Sequence, residues 1–205
     1  MEPVDLALVL AVDVSASVDF DEFALMLGGL AAAFEEPDVL AAAASGPRGA
    51  VAVAALFWSE AQEVALPWMR LASAGEGAAI AAQLRDAPRL PRAGATALGE
   101  GLVAALTLLA RCPASATRQV VDVSGDGAGN RGRASGPVRD VAVAAGVVIN
   151  GLAVLNEEPD LVQHYAAEVI GGPGSFVLPC ADYVDFADAI GRKLVREMRG
   201  PAPEA

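Results

Sequence analysis

The chain has 205 residues, 54% of them hydrophobic, at a mean hydropathy of +0.43, which is enough apolar material for the core of one ordinary-to-large domain. Its formal net charge of −12 repels phosphate backbones and argues against a nucleic-acid partner. Two cysteines are too few for a disulfide framework or a zinc site, one histidine (His164) argues against histidine-based catalysis, and no run of about eighteen apolar residues is present to span a membrane.

The first segment, Met1 to Asp5, has no basic region, and the apolar run after it is cut short by Asp13, so it does not read as a signal peptide. The expected compartment is therefore the cytoplasm for the chain as given, or the periplasm or exterior if a leader has been removed. Leu6 to Val12 is a continuous apolar run, suited to a strand buried on both faces. Asp19 and Glu22 form a capping box, after which Phe23, Leu27, Leu30 and Phe34 share one helical face. That helix is expected to stop near Glu36-Pro37. Ser45 to Gly49 is a break, and Ala50 to Phe57 is the next strand. The connection over Trp58–Gln62 is so short that Glu63 to Met69 is expected to return antiparallel as a hairpin. Pro67 places that arm at a sheet edge.

Gly75 to Ala87 reads as a helix and Pro88 to Gly94 as a loop. Thr96 is expected to open another helix, with Leu98, Leu102, Ala105, Leu106 and Leu109 as its apolar stripe and Cys112-Pro113 as its stop. Gln119 to Val123 is a strand running into the glycine-rich loop Ser124–Asn130. Ser135 is expected to cap a helix over Val138–Ala145, with Pro137 in its first turn. Val147 to Leu155 is a strand, Pro159 to Ile170 a helix, Gly171 to Gly174 a turn and Ser175 to Leu178 a short last strand. Asp182 is expected to cap a final helix with Tyr183, Phe186, Ile190, Leu194 and Met198 on one face, and residues 200–205 to form a flexible tail. The alternation predicts one α/β domain over 1–205, with its core at about 5–199. Its architecture is three-layer and doubly wound (Rossmann-like), with a mostly parallel six-stranded sheet and one antiparallel edge strand.

Within that frame, Asp13-Val14-Ser15-Ala16-Ser17 reads D-x-S-x-S on a strand-to-helix turn, at the carboxyl end of the first strand, where open α/β sheets bind ligands. A carboxylate and two hydroxyls so close together suit a small hard cation. On these residues alone, hydroxyls capping the helix explain the stretch equally well. The first and fourth strands can flank the switch point of such a sheet. Their loops then bring Asp126 toward Asp13, Ser15 and Ser17, and Thr96 joins from a helix start.

The set D-x-S-x-S, a later threonine and a later aspartate resembles the metal-ion-dependent adhesion site (MIDAS) of von Willebrand factor A domains. The order of elements, edge hairpin included, is similar as well, from about Asp5 to Arg199. The runs Leu6–Ser15, Asp122–Gly127, Ile149–Ala153 and Ile170–Gly174 resemble a bacterial branch of domains of unknown function, DUF1194. The resemblance implies a von Willebrand factor A fold and a Mg²⁺ ion, or Mn²⁺ or Ca²⁺ in its place, held by Asp13, Ser15, Ser17, Thr96 and Asp126. It implies a partner protein whose Asp or Glu carboxylate completes the ion's shell. The isolated chain is then expected to be a non-enzymatic, monomeric binding module. A metal-dependent hydrolase using the same ion, or a structural domain without metal, are the alternatives.

Other motifs fit less well. There is no G-x-S-x-G for a serine hydrolase. Ser15 stands where a D-x-D phosphoryl-transfer motif needs aspartate. Gly125-Asp126-Gly127 with Asn150 is similar to a thiamine diphosphate motif in a chain too short for such an enzyme. Asp122, Ser124, Asp126 and Gly127 open like an EF-hand loop, but Arg133 stands at its closing Glu position. The spacing of Gly125, Gly127 and Gly129 does not make a dinucleotide fingerprint. Asp19, Asp21 and Glu22 are explained by capping and the helix dipole, and Trp58 is expected to be a partly buried core residue. Asn130, Arg131 and Arg133 are expected to form a recognition rim. Cys112 and Cys180 belong at opposite ends of the domain, so no disulfide is expected between them.

Overall fold

A computed structural model of the chain describes residues 1–200; the tail expected beyond Gly200 lies outside the described residues. Among the described residues thirteen elements follow one another: β1 (Val4–Asp13), α1 (Phe20–Ala33), α2 (Pro37–Ala43), β2 (Val51–Trp58), β3 (Gln62–Leu71), α3 (Ala74–Arg85), α4 (Leu98–Leu109), β4 (Ala116–Gly125), α5 (Ser135–Ala144), β5 (Val148–Val154), α6 (Leu161–Glu168), β6 (Val177–Cys180) and α7 (Phe186–Arg199). The strands form one sheet in the order β3-β2-β1-β4-β5-β6, parallel except for the antiparallel edge strand β3. This is the expected six-stranded α/β architecture. The β2–β3 register shifts between Val53 and Ala55, opposite Pro67, so the proline sits in an edge-strand irregularity where its missing N–H does no harm.

The near-continuous apolar character of β1 follows from its central place. Leu6, Leu8, Leu10 and Val12 pack into the core shared with α1, α2, α3 and α7, while Ala7, Val9 and Ala11 face the core shared with α4, α5 and α6. Large side chains fill one face, and small ones let helices approach the other. The capping box at α1 is present in full: Asp19 accepts from the Glu22 N–H and Glu22 from the Asp19 N–H, each at 2.8 Å. Cys112 packs with Val4 and Ala50 near the amino ends of the strands and Cys180 ends β6; both are free, as expected. No helix among the described residues is long and apolar enough to cross a membrane.

Several boundaries differ from the expectations. Pro37 does more than end α1: it opens the short helix α2 from its first position, where its missing N–H has no partner to lose. Ser135 is the first residue of α5 rather than its cap; Ala134 holds that position with no side-chain bond. Asp182 accepts from the N–H groups of Val184 and Asp185 in a turn before α7, so Tyr183 lies outside the helix. β4 runs on to Gly125, which places Ser124 inside the sheet along with Asp122.

α7 also carries what its apolar stripe did not announce. Lys193 and Glu197, one helical turn apart, are buried beneath it. Lys193 Nζ lies 2.6 Å from Asp122 Oδ2 on β4 and 2.8 Å from Glu197 Oε1. Asn150 on β5 donates to Glu197 Oε1 at 2.9 Å and accepts from the Phe176 N–H. Burial, with the Asp122 charge second, pushes Glu197 up to about 8, against the pull of Lys193. Asp122 and Asn150 interrupt apolar strands, and buried polar groups of that kind need partners; that was the available signal.

Removing the one cation from this cluster leaves two buried carboxylates. Lys193→Met is expected to destabilise the fold by about 3–5 kcal/mol, read as a lower urea midpoint. Replacing Lys193, Asp122 and Glu197 together by apolar residues is expected to recover most of that loss. An unchanged midpoint in the single variant would show that the cluster does not hold α7.

Candidate functional site

β1 and β4 are neighbours, so their carboxyl ends lie side by side. Asp13 is the last residue of β1 and Asp126 follows the last residue of β4. The turn after β1 is held from three sides. The Ser15 N–H donates to Asp13 Oδ1 at 2.7 Å, the Val14 N–H to the Trp58 carbonyl at 2.9 Å, and the Ala16 N–H to the Gly94 carbonyl at 2.9 Å. Arg89 donates to the carbonyls of Ser15 and Val18.

All five predicted side chains come together. Ser17 Oγ donates to Asp126 Oδ1 at 2.7 Å, Ser15 Oγ and Ser17 Oγ are 3.2 Å apart, and Thr96 Oγ1 donates to Ser15 Oγ at 3.4 Å. Asp13, Ser15 and Asp126 are fully buried and Thr96 nearly so, whereas Ser17 is exposed at the mouth. Thr96 does not open α4, which begins at Leu98. Its N–H donates to Asn130 Oδ1 at 3.0 Å and its carbonyl accepts from the Asn130 and Arg131 N–H groups, so its backbone is committed to the loop after β4 rather than to a helix.

That staple is also where the expected rim changes character. Asn130 shapes the site from beneath by holding Thr96. Arg131 lies 3.6 Å from Glu60, and Arg133 pairs with Glu100. Trp58 is wholly rather than partly buried, and a Cβ on Gly101 of α4 would stand 2.8 Å from its indole ring. Two tyrosines were missed as neighbours of the site. Tyr165 from α6 and Tyr183 from the loop before α7 are both buried, one in each core layer, and both feel the charges of Asp13 and Asp126. No local pattern marks them, since each is remote in sequence from the aspartates.

The electrostatics are those of a crowded anionic pair. Burial, and then the charge of Asp126, pushes Asp13 from its ordinary 3.8 up to about 7. Burial raises Asp126 too, against the hydroxyl of Ser17. Asp13 Oδ2 and Asp126 Oδ2 are buried without a hydrogen-bond partner among the described residues. Among the described residues no group of three or more His, Cys, Asp or Glu gathers as metal ligands. This set instead combines two carboxylates with three hydroxyls, all hard oxygens. Orphaned carboxylate oxygens beside hydroxyls fit a divalent cation of the Mg²⁺ type.

Comparison with known proteins places the chain. The family described as "Protein of unknown function (DUF1194)" matches residues 3–202. The chain belongs to the DUF1194 family. No curated protein matches it. Among solved structures, this DUF1194 domain is similar to the von Willebrand factor type A protein from Catenulispora acidiphila, at a TM-score of 0.66 and 15% identity, covering 96% of this chain and 43% of that one. It is also similar to proximal thread matrix protein 1 from the mussel byssus, in a structure whose MIDAS motif is occupied by zinc (TM-score 0.67, 18% identity, 94% of this chain and 45% of that one). A third is the PilB minor pilin from Streptococcus sanguinis (TM-score 0.64, 13% identity, 97% and 64%). The DUF1194 chain spans less than half the length of the first two. Its fold is that of von Willebrand factor A domains.

The raised carboxyls give the metal-free protein a definite pH response. Folded Asp13 keeps a proton up to about pH 7, whereas the unfolded chain loses it near 3.8. Its contribution to stability is therefore fully present below the lower value and lost as pH rises through the upper one. Glu197, held near 8, acts in the same direction. In EDTA, the thermal midpoint is expected to fall from about pH 5 to about pH 8, with a shallower fall in Asp13→Asn. An equal slope in that variant would remove Asp13 from the account.

Proposed function

We propose that this DUF1194 domain is a divalent-cation-dependent protein-binding module. Asp13, Ser15, Ser17, Thr96 and Asp126 would hold a Mg²⁺-type ion, with Mn²⁺ or Ca²⁺ able to take its place. The observation that carries the reading is the chain of hydrogen bonds joining the Thr96, Ser15, Ser17 and Asp126 side chains, with Asp13 tied in through the Ser15 N–H, from three loops around two buried, partly orphaned carboxylates. Bound there, the ion would offset the mutual repulsion of the two aspartates and offer an open position to an Asp or Glu carboxylate of a partner protein.

The chain's own residues prepare that position. Ser17 stands exposed at the mouth, so the site is reached from solvent. Asp13 is fixed by the Ser15 N–H, and Thr96 is fixed by Asn130, so the donors are set before any ligand arrives. Phe20, three residues past Ser17 and 79% exposed, offers an apolar contact beside the site, with the Arg89 guanidinium over its ring. The zinc-occupied MIDAS of the mussel protein, and the pilin among the fold's neighbours, support a cation and an adhesive role for a domain of this shape. Binding is favoured over catalysis because the site hydroxyls bond to one another and to Asp126, none to the sole histidine, His164 on α6.

Titration calorimetry with Mg²⁺ tests the reading. The wild type is expected to bind, and Ser15→Ala to weaken binding about tenfold or more. Pull-down of a partner from the source cell is expected to succeed with Mg²⁺ and fail in EDTA. If the wild type binds none of the three cations, the proposal falls. Turnover of generic esterase or phosphatase substrates that disappears in Asp13→Ala would convert the reading to a hydrolase.

A further inference from the structure

Tyr165 is fully buried against the face of the sheet that carries Val121, Val123 and Ile149. Two strand glycines make its seat. A Cβ on Gly151 of β5 would stand 2.6 Å from Tyr165 Cδ1, and one on Gly125 at the end of β4 would stand 2.8 Å from Tyr165 Oη. Glycine weakens a strand and packs nothing, and its use there marks a close approach. Here the approaching group is the tyrosine. The same absent Cβ of Gly125 would lie 3.0 Å from Asp13 Oδ2. The hydroxyl and that carboxylate oxygen therefore face a common point, within single-water reach of each other.

Both atoms are buried, and neither has a hydrogen-bond partner among the described residues. Buried polar atoms are almost always partnered, and two orphans that share one gap supply each other's need. A phenol keeps its proton at neutral pH and a carboxylate only accepts, so the Tyr165 hydroxyl is the donor. The other oxygen of Asp13 already accepts from the Ser15 N–H.

We propose that Tyr165 is a positioning residue for the cation site: its hydroxyl donates to Asp13 Oδ2 through one water, and together with the Ser15 N–H fixes the plane of the Asp13 carboxylate. This rests on the cation reading given above. Hydrogen bonds behind a metal ligand orient it and hold its charge, and their loss lowers metal affinity about 10–100-fold.

Tyr165→Phe tests this, because it keeps the ring in its seat and removes only the hydroxyl. In calorimetry the Kd for Mg²⁺ is expected to rise about 10–100-fold, while the metal-free Tm stays within a few degrees of wild type. The carboxyl-carbon NMR resonance of Asp13 in the metal-free protein is expected to shift, which a packing role would not cause. Gly125→Ala, which puts a methyl into the gap, is expected to weaken Mg²⁺ binding in the same direction. If the wild type binds Mg²⁺ and Tyr165→Phe binds it as tightly, the positioning role is overturned and the cation site stands. An unmoved Asp13 resonance overturns the role as well. If the wild type itself binds none of Mg²⁺, Mn²⁺ and Ca²⁺, both fall together.

Discussion

The constraint on which this structure turns is the placement of two aspartates at the adjoining ends of neighbouring parallel strands. Parallel pairing of β1 with β4 sets Asp13 and Asp126 side by side, and the packed layers around them exclude water. Two carboxylates in such a place repel one another and resist ionisation. The loops around them are arranged to live with that. The Ser15 N–H and the Ser17 hydroxyl each donate to one carboxylate, and Asn130 staples Thr96 to the loop carrying Asp126. What these donors leave over is one orphaned oxygen on each aspartate, which is the feature that gives the proposed cation something to do.

A second buried polar system lies lower in the same sheet. Asp122 is paired in register with Leu10 of β1 and Asn150 of β5, and it meets Lys193 of α7 there. α7 is thus held by an apolar stripe and by buried charge at once. Apolar contacts tolerate sliding better than a buried ion pair does, because a displaced charge loses its only partner in a dry interior. The loop immediately before α7 carries Tyr183 to Asp126, so anchoring the helix also sets one wall of the candidate site. Tyr165 forms the opposite wall from α6. The two tyrosines come from the two core layers, and both feel the charges of Asp13 and Asp126.

Much of this was legible in the chain. The apolar run of β1, the short hairpin connection with Pro67 in its second arm, and the alternation of strand and helix patterns carry the sheet and its edge. The D-x-S-x-S turn carries one half of the candidate site. Helix starts were read less well. Thr96, Ser135 and Asp182 are all good capping residues by type, and none caps a helix, because each answers to something else. Thr96 is bonded to Asn130, Ser135 lies within the helix itself, and Asp182 closes a turn. A capping residue's chemistry is local, but which backbone groups compete for it is not.

The sequence by itself determined which residues could be strand, helix and turn, and which carried hard oxygens near strand ends, because periodicity and turn chemistry act over a few neighbouring positions. Only the tertiary structure decided that Asp122 and Lys193 would be partners across 71 positions. It decided too that Gly125 and Gly151 would make a seat for Tyr165, and that Asp13 and Asp126 would each keep an oxygen unbonded. Those outcomes depend on how densely packed layers bring distant segments into the same small volume, and on the cost of leaving polar atoms there without partners. No local pattern encodes either.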